Sequence, residues 1–442
     1  MAENTRLQTA ERLFLMLVVL VLSGMAGAMG VAPFKQLAEG ATATMTMVRL
    51  RMLDRSLILE PIVHPGKGLV TNDAAHVQPG YTMIQGIMPG GHQVRMLDAQ
   101  GREVHRWKLD FYKAWPDAAE MIPAKRIPVS EFQYINQGMW PLPDGSLIAN
   151  FTALGSVRVD ACSNVMWRSD RPTHHSVTPT DDGKFWIPSH IDAKDTPREW
   201  MPFGEDPQEI DDMINTDHYY HDSVVLMTAD GKIEKQFSVL GAIVEAGLEG
   251  PIYQSLAEKI TDATHINDIN IVTGPLAEKI QGVEPGDLLL SLRAMNMLII
   301  LDQQTGQLKW HKQGAWVRQH DPDIMPDGTI EMFNNRSPMV VGTHKGSEIL
   351  SFDPATETTR VIYPKSEDDW FQSNIMGTHQ RLENGNELIV ESMAGRAFEV
   401  TPTGKIVWDY RLPYDSEHAS LFSSGMRVPL DYFEKDSLKC PS

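Results

Sequence analysis

Four histidines occupy a recurring position in the sequence, at the start of a unit that runs through a tight turn into an apolar strand. His175 and His320 each stand eight residues before a turn glycine, Gly183 and Gly328, and His379 stands six residues before a later one. Near neutral pH an imidazole can act as a nucleophile, an acid, a base or a metal ligand. Randomly placed structural histidines would not prefer one phase of a repeat. The members of this set are His175, His265, His320 and His379.

Metal binding is the alternative chemistry for these residues, because convergent imidazoles bind zinc or copper. The recurring position contains no close His-x-His pair, and the HYYH stretch with His218 and His221 belongs to an insert. We therefore expect no metal ligands and no cofactor.

The elements that would position the histidines are short strands. Past residue 75 the sequence shows little helical periodicity and many Asp-Gly or Asn-Gly turns, whose glycines readily take the positive φ of tight β-turns. An apolar strand, a turn and an aromatic residue recur six times, and two turn intervals approximate the length of a propeller blade. The aromatic residues that end the units are Trp107, Trp167, Phe237, Trp310, Tyr363 and Trp408.

These repeats predict an all-β fold, a six-bladed β-propeller over residues 76–430 with inserts near 191–222 and 238–262. If the recurring histidine position begins the innermost strand, at least four blades direct an imidazole toward the central channel. Residues 35–75 are predicted as a linker and 431–442 as a tail.

Composition limits the classes of partner. Hydrophobic residues make up 42% and charged residues 22% of the 442-residue chain, as in globular proteins. The net charge of −19 argues against nucleic-acid binding, which needs clustered cations, and favours small molecules or proteins as partners. The chain contains two cysteines, Cys162 and Cys440, which allow a single disulfide in an oxidising compartment.

The N-terminal segment predicts a membrane anchor. Residues 13–33 contain no charge and have the length that spans a bilayer core as a helix. We interpret residues 1–34 as one uncleaved transmembrane helix with the body of the protein outside the cytoplasm. A cleaved signal peptide is the alternative, because MAGAMG contains small residues of the A-x-A kind.

Several motifs carry a resemblance to a known family. The motifs are DATHINDINIV, GDLLLSLRAMNMLIILDQQTGQLKW, QHDPDIMPDGTIEMFNNR and GTHQRLENGNELIVES. Together they resemble the bacterial arylsulfotransferases, over residues 80–410 and most strongly over 262–408. The resemblance implies a six-bladed propeller that moves a sulfuryl group from an aryl sulfate to a phenol without a nucleotide sulfate donor. It also implies a sulfated histidine intermediate, a periplasmic body and a single-pass anchor in the bacterial inner membrane.

The resemblance assigns roles by position. His379 matches the histidine that becomes sulfated, His265 and His320 match histidines around the sulfate, and Arg336 approximates the family's arginine. Arg293 of the SLR triplet is a second candidate for binding the anion. Other predicted substrate contacts are Asn267, His175, Tyr219, Tyr220 and Trp316.

Sulfuryl transfer resembles phosphoryl transfer, in which positioned cations stabilise a loose transition state. His379 must be neutral to attack sulfur, whereas His320 must hold a proton for the departing phenolate, so their neighbours must separate the two pKa values. A covalent intermediate implies ping-pong kinetics.

Two other functions compete with this interpretation. A membrane-anchored propeller that binds a protein partner or a small ligand without catalysis is the stronger one, because propellers host many functions. A quinone-dependent dehydrogenase is the other, since LDQQTGQLKW resembles the tryptophan-docking unit of such propellers, in one copy.

Overall fold

The computed structural model describes residues 55–122, 126–201, 211, 219–255, 261–336 and 346–440. The predicted anchor at residues 1–34 lies outside these ranges. Within them, every helix is too short or too polar to span a bilayer. Met1–Leu57 with Pro128–Gln133 form one unit, and Ile58–Ile127 with Tyr134–Ser442 form a second, to which all the strands below belong.

Twenty-five strands make up most of the second unit. The strands of its first half are β1 (Gly68–Asn72), β2 (Tyr81–Met88), β3 (Gly91–Leu97), β4 (Glu103–Lys108), β5 (Asn136–Pro141), β6 (Leu147–Phe151), β7 (Gly155–Val159), β8 (Val165–Ser169), β9 (Thr178–Pro179), β10 (Phe185–Ile191), β11 (His221–Met227) and β12 (Ile233–Ser238). Those of its second half are β13 (Ile266–Ile271), β14 (Leu288–Leu292), β15 (Met297–Leu301), β16 (Leu308–Gln313), β17 (His320–Ile324), β18 (Ile330–Asn334), β19 (Glu348–Asp353), β20 (Thr358–Tyr363), β21 (Thr378–Arg381), β22 (Glu387–Glu391), β23 (Arg396–Val400), β24 (Ile406–Arg411) and β25 (Leu421–Val428).

These strands form six antiparallel sheets, which confirms the predicted all-β six-bladed propeller. Four blades are consecutive in sequence, β5 to β8, β9 to β12, β13 to β16 and β17 to β20. The inner strands of neighbouring blades contact one another, from β9 through β13, β17, β21 and β25 to β5. The inner strands therefore surround a common axis.

The ring closes with strands from both ends of the described chain. β25 is the inner strand of the blade that continues with β2, β3 and β4, and β1 is a fifth, outermost strand beside β24. β1 lies within the segment that the sequence assigns to a linker. A disulfide between Cys162 and Cys440, with Cα atoms 5.4 Å apart, joins the C-terminal tail to the turn between β7 and β8.

Each of the six repeated aromatic residues lies on the fourth strand of its blade, counted from the axis, from Trp107 on β4 to Trp408 on β24. Their rings contact the next blade. Trp107 Nε1 donates to Gly145 O at 3.0 Å, and Trp167 Nε1 donates to Ala229 O at 2.8 Å. The aromatic residue that recurs in the sequence is thus the side chain by which one blade packs on its neighbour.

Truncation of such a ring should weaken the fold. Trp107 is fully buried and packs against Phe433 at 6.1 Å between ring centroids. Trp107→Ala is expected to lower the free energy of unfolding by about 3–5 kcal/mol, because it removes a large buried side chain and leaves a cavity. Urea unfolding followed by circular dichroism measures the change. Trp370→Ala is the control, since Trp370 is 47% exposed, and an equal loss in both variants would contradict the packing role.

Within the described residues, five short α-helices connect the strands, and two of them occupy the predicted insert between β12 and β13. They are α1 (Phe111–Ala114), α2 (Ala118–Met121), α3 (Val239–Glu245), α4 (Glu249–Ser255) and α5 (Gly274–Ala277). The Ser238 hydroxyl caps α3 by accepting from the Gly241 N–H at 2.8 Å, as helix N-termini require. The apolar face of α3 packs into the largest core cluster through Val239, Leu240 and Ile243.

Candidate active site

A cavity of about 460 Å³ lies at the axis of the propeller. Residues from β5, β9, β13, β17, β21 and β25, the inner strands of all six blades, line it. Gly138 on β5 has φ of 86°, and a Cβ there would lie 1.3 Å from His175 O, so only glycine permits this approach. The lining side chains that can do acid-base chemistry or hydrogen-bond a ligand include His175, Asn267, Asp268, His320, Asp321, Asp323 and His379.

His379 lies on β21 with its imidazole held by Asp321 of the preceding blade. Asp321 Oδ2 accepts from the His379 backbone N–H at 2.5 Å and lies 3.1 Å from His379 Nδ1. Because a carboxylate accepts, this contact places a proton on Nδ1. His379 Nε2 is buried and has no hydrogen-bond partner among the described residues. His379 thus lines the cavity and carries a buried imidazole nitrogen that has no partner among the described residues.

Carboxylates around His379 control its charge. Burial opposes its protonation, but the hydrogen bond to Asp321 and the charge of Asp323 together raise the pKa of His379 to about 10. Burial and the charge of Asp321 raise the pKa of Asp323 to about 8. Burial and the same charge hold the pKa of Asp268 well above its ordinary value. We call Asp268, Asp321 and Asp323 the carboxylate wall. Of these, Asp321 and Asp323, together with Glu387, raise the pKa of His379 and so keep a proton on it at neutral pH.

His320, the first residue of β17, has the opposite electrostatic surroundings. Its Nδ1 lies 2.7 Å from Asn335 Oδ1 and 3.0 Å from Arg318 O, two acceptors that place the proton there. Burial and the positive charge of Arg293 lower the pKa of His320 to about 3. The order of the two pKa values is the reverse of the one expected from the sequence, because the carboxylates lie beside His379 and the guanidinium beside His320.

His175 and His265 form a histidine pair at the starts of neighbouring blades. Their ring centroids are 5.3 Å apart. His265 Nδ1 lies 2.7 Å from Asp262 Oδ2, whereas burial and the charge of His174 hold the pKa of His175 well below its ordinary value. Both histidines have positive φ, 55° and 51°, and so does Asp321 at 51°. Non-glycine residues in this sparsely populated region cluster at functional sites.

The two predicted arginines differ in their positions. Arg336 Nη1 forms an ion pair with Glu348 Oε1 at 2.6 Å, and Arg336 does not line the cavity. The Arg293 backbone N–H donates to His265 O at 3.0 Å, and its charge acts on His320. Neither arginine is among the residues that line the cavity, and Arg293 is the one whose charge lowers the pKa of His320.

Of the predicted aromatic and amide contacts, one lies at the cavity and three lie elsewhere in the fold. Asn267 lines the cavity, and its Oδ1 has no hydrogen-bond partner within the described part of the chain. Tyr219 and Trp316 instead pack in hydrophobic core clusters, since both rings are at least 98% buried among apolar side chains. Tyr220 packs against the His190 ring at 4.8 Å. The cavity wall includes none of these three rings among its described residues.

The carboxylates at this site were not among the residues predicted from the sequence. Asp321 directly follows His320, Asp323 comes two residues later, and Asp268 directly follows Asn267. The available signal was therefore an acidic residue directly after His320 and directly after Asn267. Asp222, which contacts two further histidines, directly follows His221 on β11, in the predicted insert and away from the recurring position.

The chain has similarity to solved structures and to one protein family. A protein of unknown function from Bacteroides caccae has 10% sequence identity and a TM-score of 0.47, over 78% of this chain and 99% of that one. Virginiamycin B lyase from Staphylococcus aureus has 10% identity and a TM-score of 0.35, over 62% of this chain and 70% of that one. No curated protein matches the sequence significantly. Residues 138–412 match the family described as Arylsulfotransferase (ASST), and the chain therefore belongs to the arylsulfotransferase family.

Proposed function

We propose that the protein is a sulfotransferase that needs no nucleotide sulfate donor (PAPS). It moves a sulfuryl group from an aryl sulfate donor to a phenolic acceptor through a sulfated His379. The observation that carries the proposal is His379 Nε2, which is buried at the cavity and has no partner among the described residues, while Asp321 holds Nδ1. Family membership supplies the reaction class.

In the first half-reaction, His379 Nε2 attacks the donor sulfur and the bond from sulfur to the phenolic oxygen breaks. The departing oxygen takes the bonding electron pair. Nε2 must first lose its proton, which passes to His320. A sulfonate beside His320 and Arg293 favours this protonated form of His320. His320 then gives this proton to the phenolate, and the acceptor phenol later reverses the sequence.

Cations would stabilise the sulfonate oxygens during transfer. Arg293 and His265 are proposed for this role from their place beside His320, and Arg336 from its position in the family pattern. Each fixed donor is expected to contribute roughly 2.7–4 kcal/mol, by analogy with oxyanion holes. Arg336 would have to leave Glu348 to do so, which favours Arg293 as the first residue to vary.

The test is an assay with p-nitrophenyl sulfate in the absence and presence of phenol. Without phenol we expect a burst of one nitrophenol per enzyme, because the sulfated enzyme accumulates. With phenol we expect steady turnover and parallel double-reciprocal lines. Absence of both burst and turnover over a panel of aryl sulfates and phenols would contradict the proposal.

One observation favours the non-catalytic alternative. The carboxylate wall places acidic groups at the cavity, and a cationic ligand would suit them better than an anionic ester does. Under that alternative a bound cationic ligand would co-purify with the protein, and no aryl sulfate would be turned over.

We also propose that residues 13–33 anchor the protein in the inner membrane with the propeller in the periplasm. The length of their uncharged run supports this. Protease added to spheroplasts should then digest the propeller, and its protection there would contradict the proposed orientation.

A further inference from the structure

Two buried side chains and one partly buried side chain converge next to the histidine pair. His174 precedes His175, while His190 and Asp222 face each other as paired residues of β10 and β11. Asp222 Oδ1 lies 3.2 Å from His190 Nε2 and 3.5 Å from His174 Nε2, and all three atoms lie within 4.8 Å of one another. We call these three residues the inner triad.

The hydrogen bonds of Asp222 leave one oxygen directed into the triad. Oδ2 accepts from Thr264 Oγ1 at 2.6 Å and from the Ile266 N–H at 2.8 Å. Oδ1 makes ion-pair contacts with the two triad imidazoles, and within the described ranges neither Oδ1 nor His174 Nε2 makes a hydrogen bond of normal geometry. The side chains of Asp222 and His174 are 1% and 2% exposed. A buried carboxylate oxygen without such a partner is costly unless a cation meets it.

The neighbouring His221 shows the contrast. Its Nδ1 lies 2.8 Å from Thr196 Oγ1 and its Nε2 lies 2.6 Å from Ser238 Oγ. Both of its nitrogens have hydrogen-bond partners within the protein, as expected for a structural histidine. His174 Nε2, by contrast, has no hydrogen-bond partner among the described residues.

The donor atoms match those that transition metals bind. Two imidazoles and one carboxylate occur as three-ligand sets in zinc and iron sites. Ligand atoms at about 2.0–2.1 Å from a shared ion stand roughly 3.0–3.4 Å from one another when their angles are near 90° to 110°. Both measured separations from Asp222 Oδ1 are close to this range. His174 Nδ1 also contacts His175 Nδ1 at 2.7 Å, which is the kind of second contact that orients a metal-binding imidazole.

We propose that His174, His190 and Asp222 bind one divalent transition-metal ion through the two Nε2 atoms and Asp222 Oδ1. This departs from the sequence-based expectation of no metal. Because Asp222 Oδ2 also holds Thr264 and Ile266, the ion fixes the residues on either side of His265 and so positions that histidine. The site is independent of the sulfuryl-transfer proposal.

Metal uptake by the full chain without a histidine tag tests the inference. The protein is stripped with a chelator, dialysed and titrated with Zn²⁺, and bound metal is measured by elemental analysis. We expect about one equivalent for the wild type, and loss of at least nine-tenths of it in His190→Gln and in Asp222→Asn. His311→Gln is the control and should keep it, since His311 is an exposed histidine on β16. Circular dichroism verifies that each variant is folded.

Titration of the wild type with Co²⁺ gives an answer even if a variant fails to fold, because imidazole-bound Co²⁺ acquires visible absorption that excess Zn²⁺ abolishes. Uptake below a tenth of an equivalent of Zn²⁺, Mn²⁺ and Fe²⁺ would overturn the inference. Equal uptake by wild type and His190→Gln would do the same, as would loss confined to Asp323→Asn, which would place the ion at the carboxylate wall. No sulfate ester is needed, so failure here leaves the transfer proposal untouched.

Discussion

Replacement of His379 by alanine is expected to reduce phenol-dependent release of nitrophenol by at least about a thousandfold, because removal of a nucleophile removes the covalent route. The burst in the absence of phenol should also disappear. After incubation with donor alone, the intact mass of the wild type should rise by one SO₃, and peptide sequencing at alkaline pH should place the group on His379.

His311→Ala is the matched control, because it removes an exposed imidazole of the same chain. It should keep the burst and the turnover of the wild type. A variant without His379 that still shows the burst would remove that residue from its proposed role. Sulfation found on His320 would reassign the nucleophile to the histidine with the lowered pKa.

With p-nitrophenyl sulfate, whose stabilised phenolate leaves without taking a proton from His320, the rate of the first half-reaction should depend steeply on pH. Neutral His379 is the attacking form, and although burial opposes its protonation, the Asp321 hydrogen bond and neighbouring carboxylates raise the pKa of His379 to about 10. Below that value the neutral fraction grows about tenfold with each pH unit. The burst rate of the wild type should therefore climb through the neutral range and level off near pH 10.

Asp321→Asn should change both the position and the height of this profile. Loss of the carboxylate lowers the pKa of His379, so the plateau should begin at a lower pH. The maximal rate should fall by up to about 10⁴-fold, as for a catalytic imidazole whose orienting carboxylate becomes an amide. Stopped-flow measurement of the burst between pH 6 and pH 10 records both effects. An unchanged plateau pH in the variant would show that Asp321 does not control His379.

Much of the fold could be predicted because blades are local. Each hairpin turn and each outer aromatic residue belongs to a short stretch of sequence, as Gly328 and Trp310 illustrate, and a repeat at blade length leaves few other architectures. The shared phase of His175, His320 and His379 follows from the same periodicity. Equivalent positions of successive blades face one axis, so residues far apart in the chain could be expected to meet there.

Side-chain contacts between neighbouring blades could not be predicted from the repeat. Asp321 and His379 are 58 residues apart, and whether two neighbouring blades bring one carboxylate onto one imidazole depends on blade rotation, which a linear pattern does not encode. Arg336 illustrates the same limit, since its pairing with Glu348 arises from adjacent strands of its own blade. The pKa order of His379 and His320 depends on such contacts and could not be read from residue type.

The closing strand has a consequence for biosynthesis. β25 supplies Ser423, Ser424, Gly425 and Met426 to the cavity wall, although it is the final strand of the propeller to leave the ribosome. A nascent chain that lacks it has a gap in the wall of its cavity and an unpaired edge on β2, which is a template for aggregation. Premature termination upstream of this strand therefore yields a polypeptide with an incomplete cavity, so the transfer proposed for this cavity requires translation beyond β25.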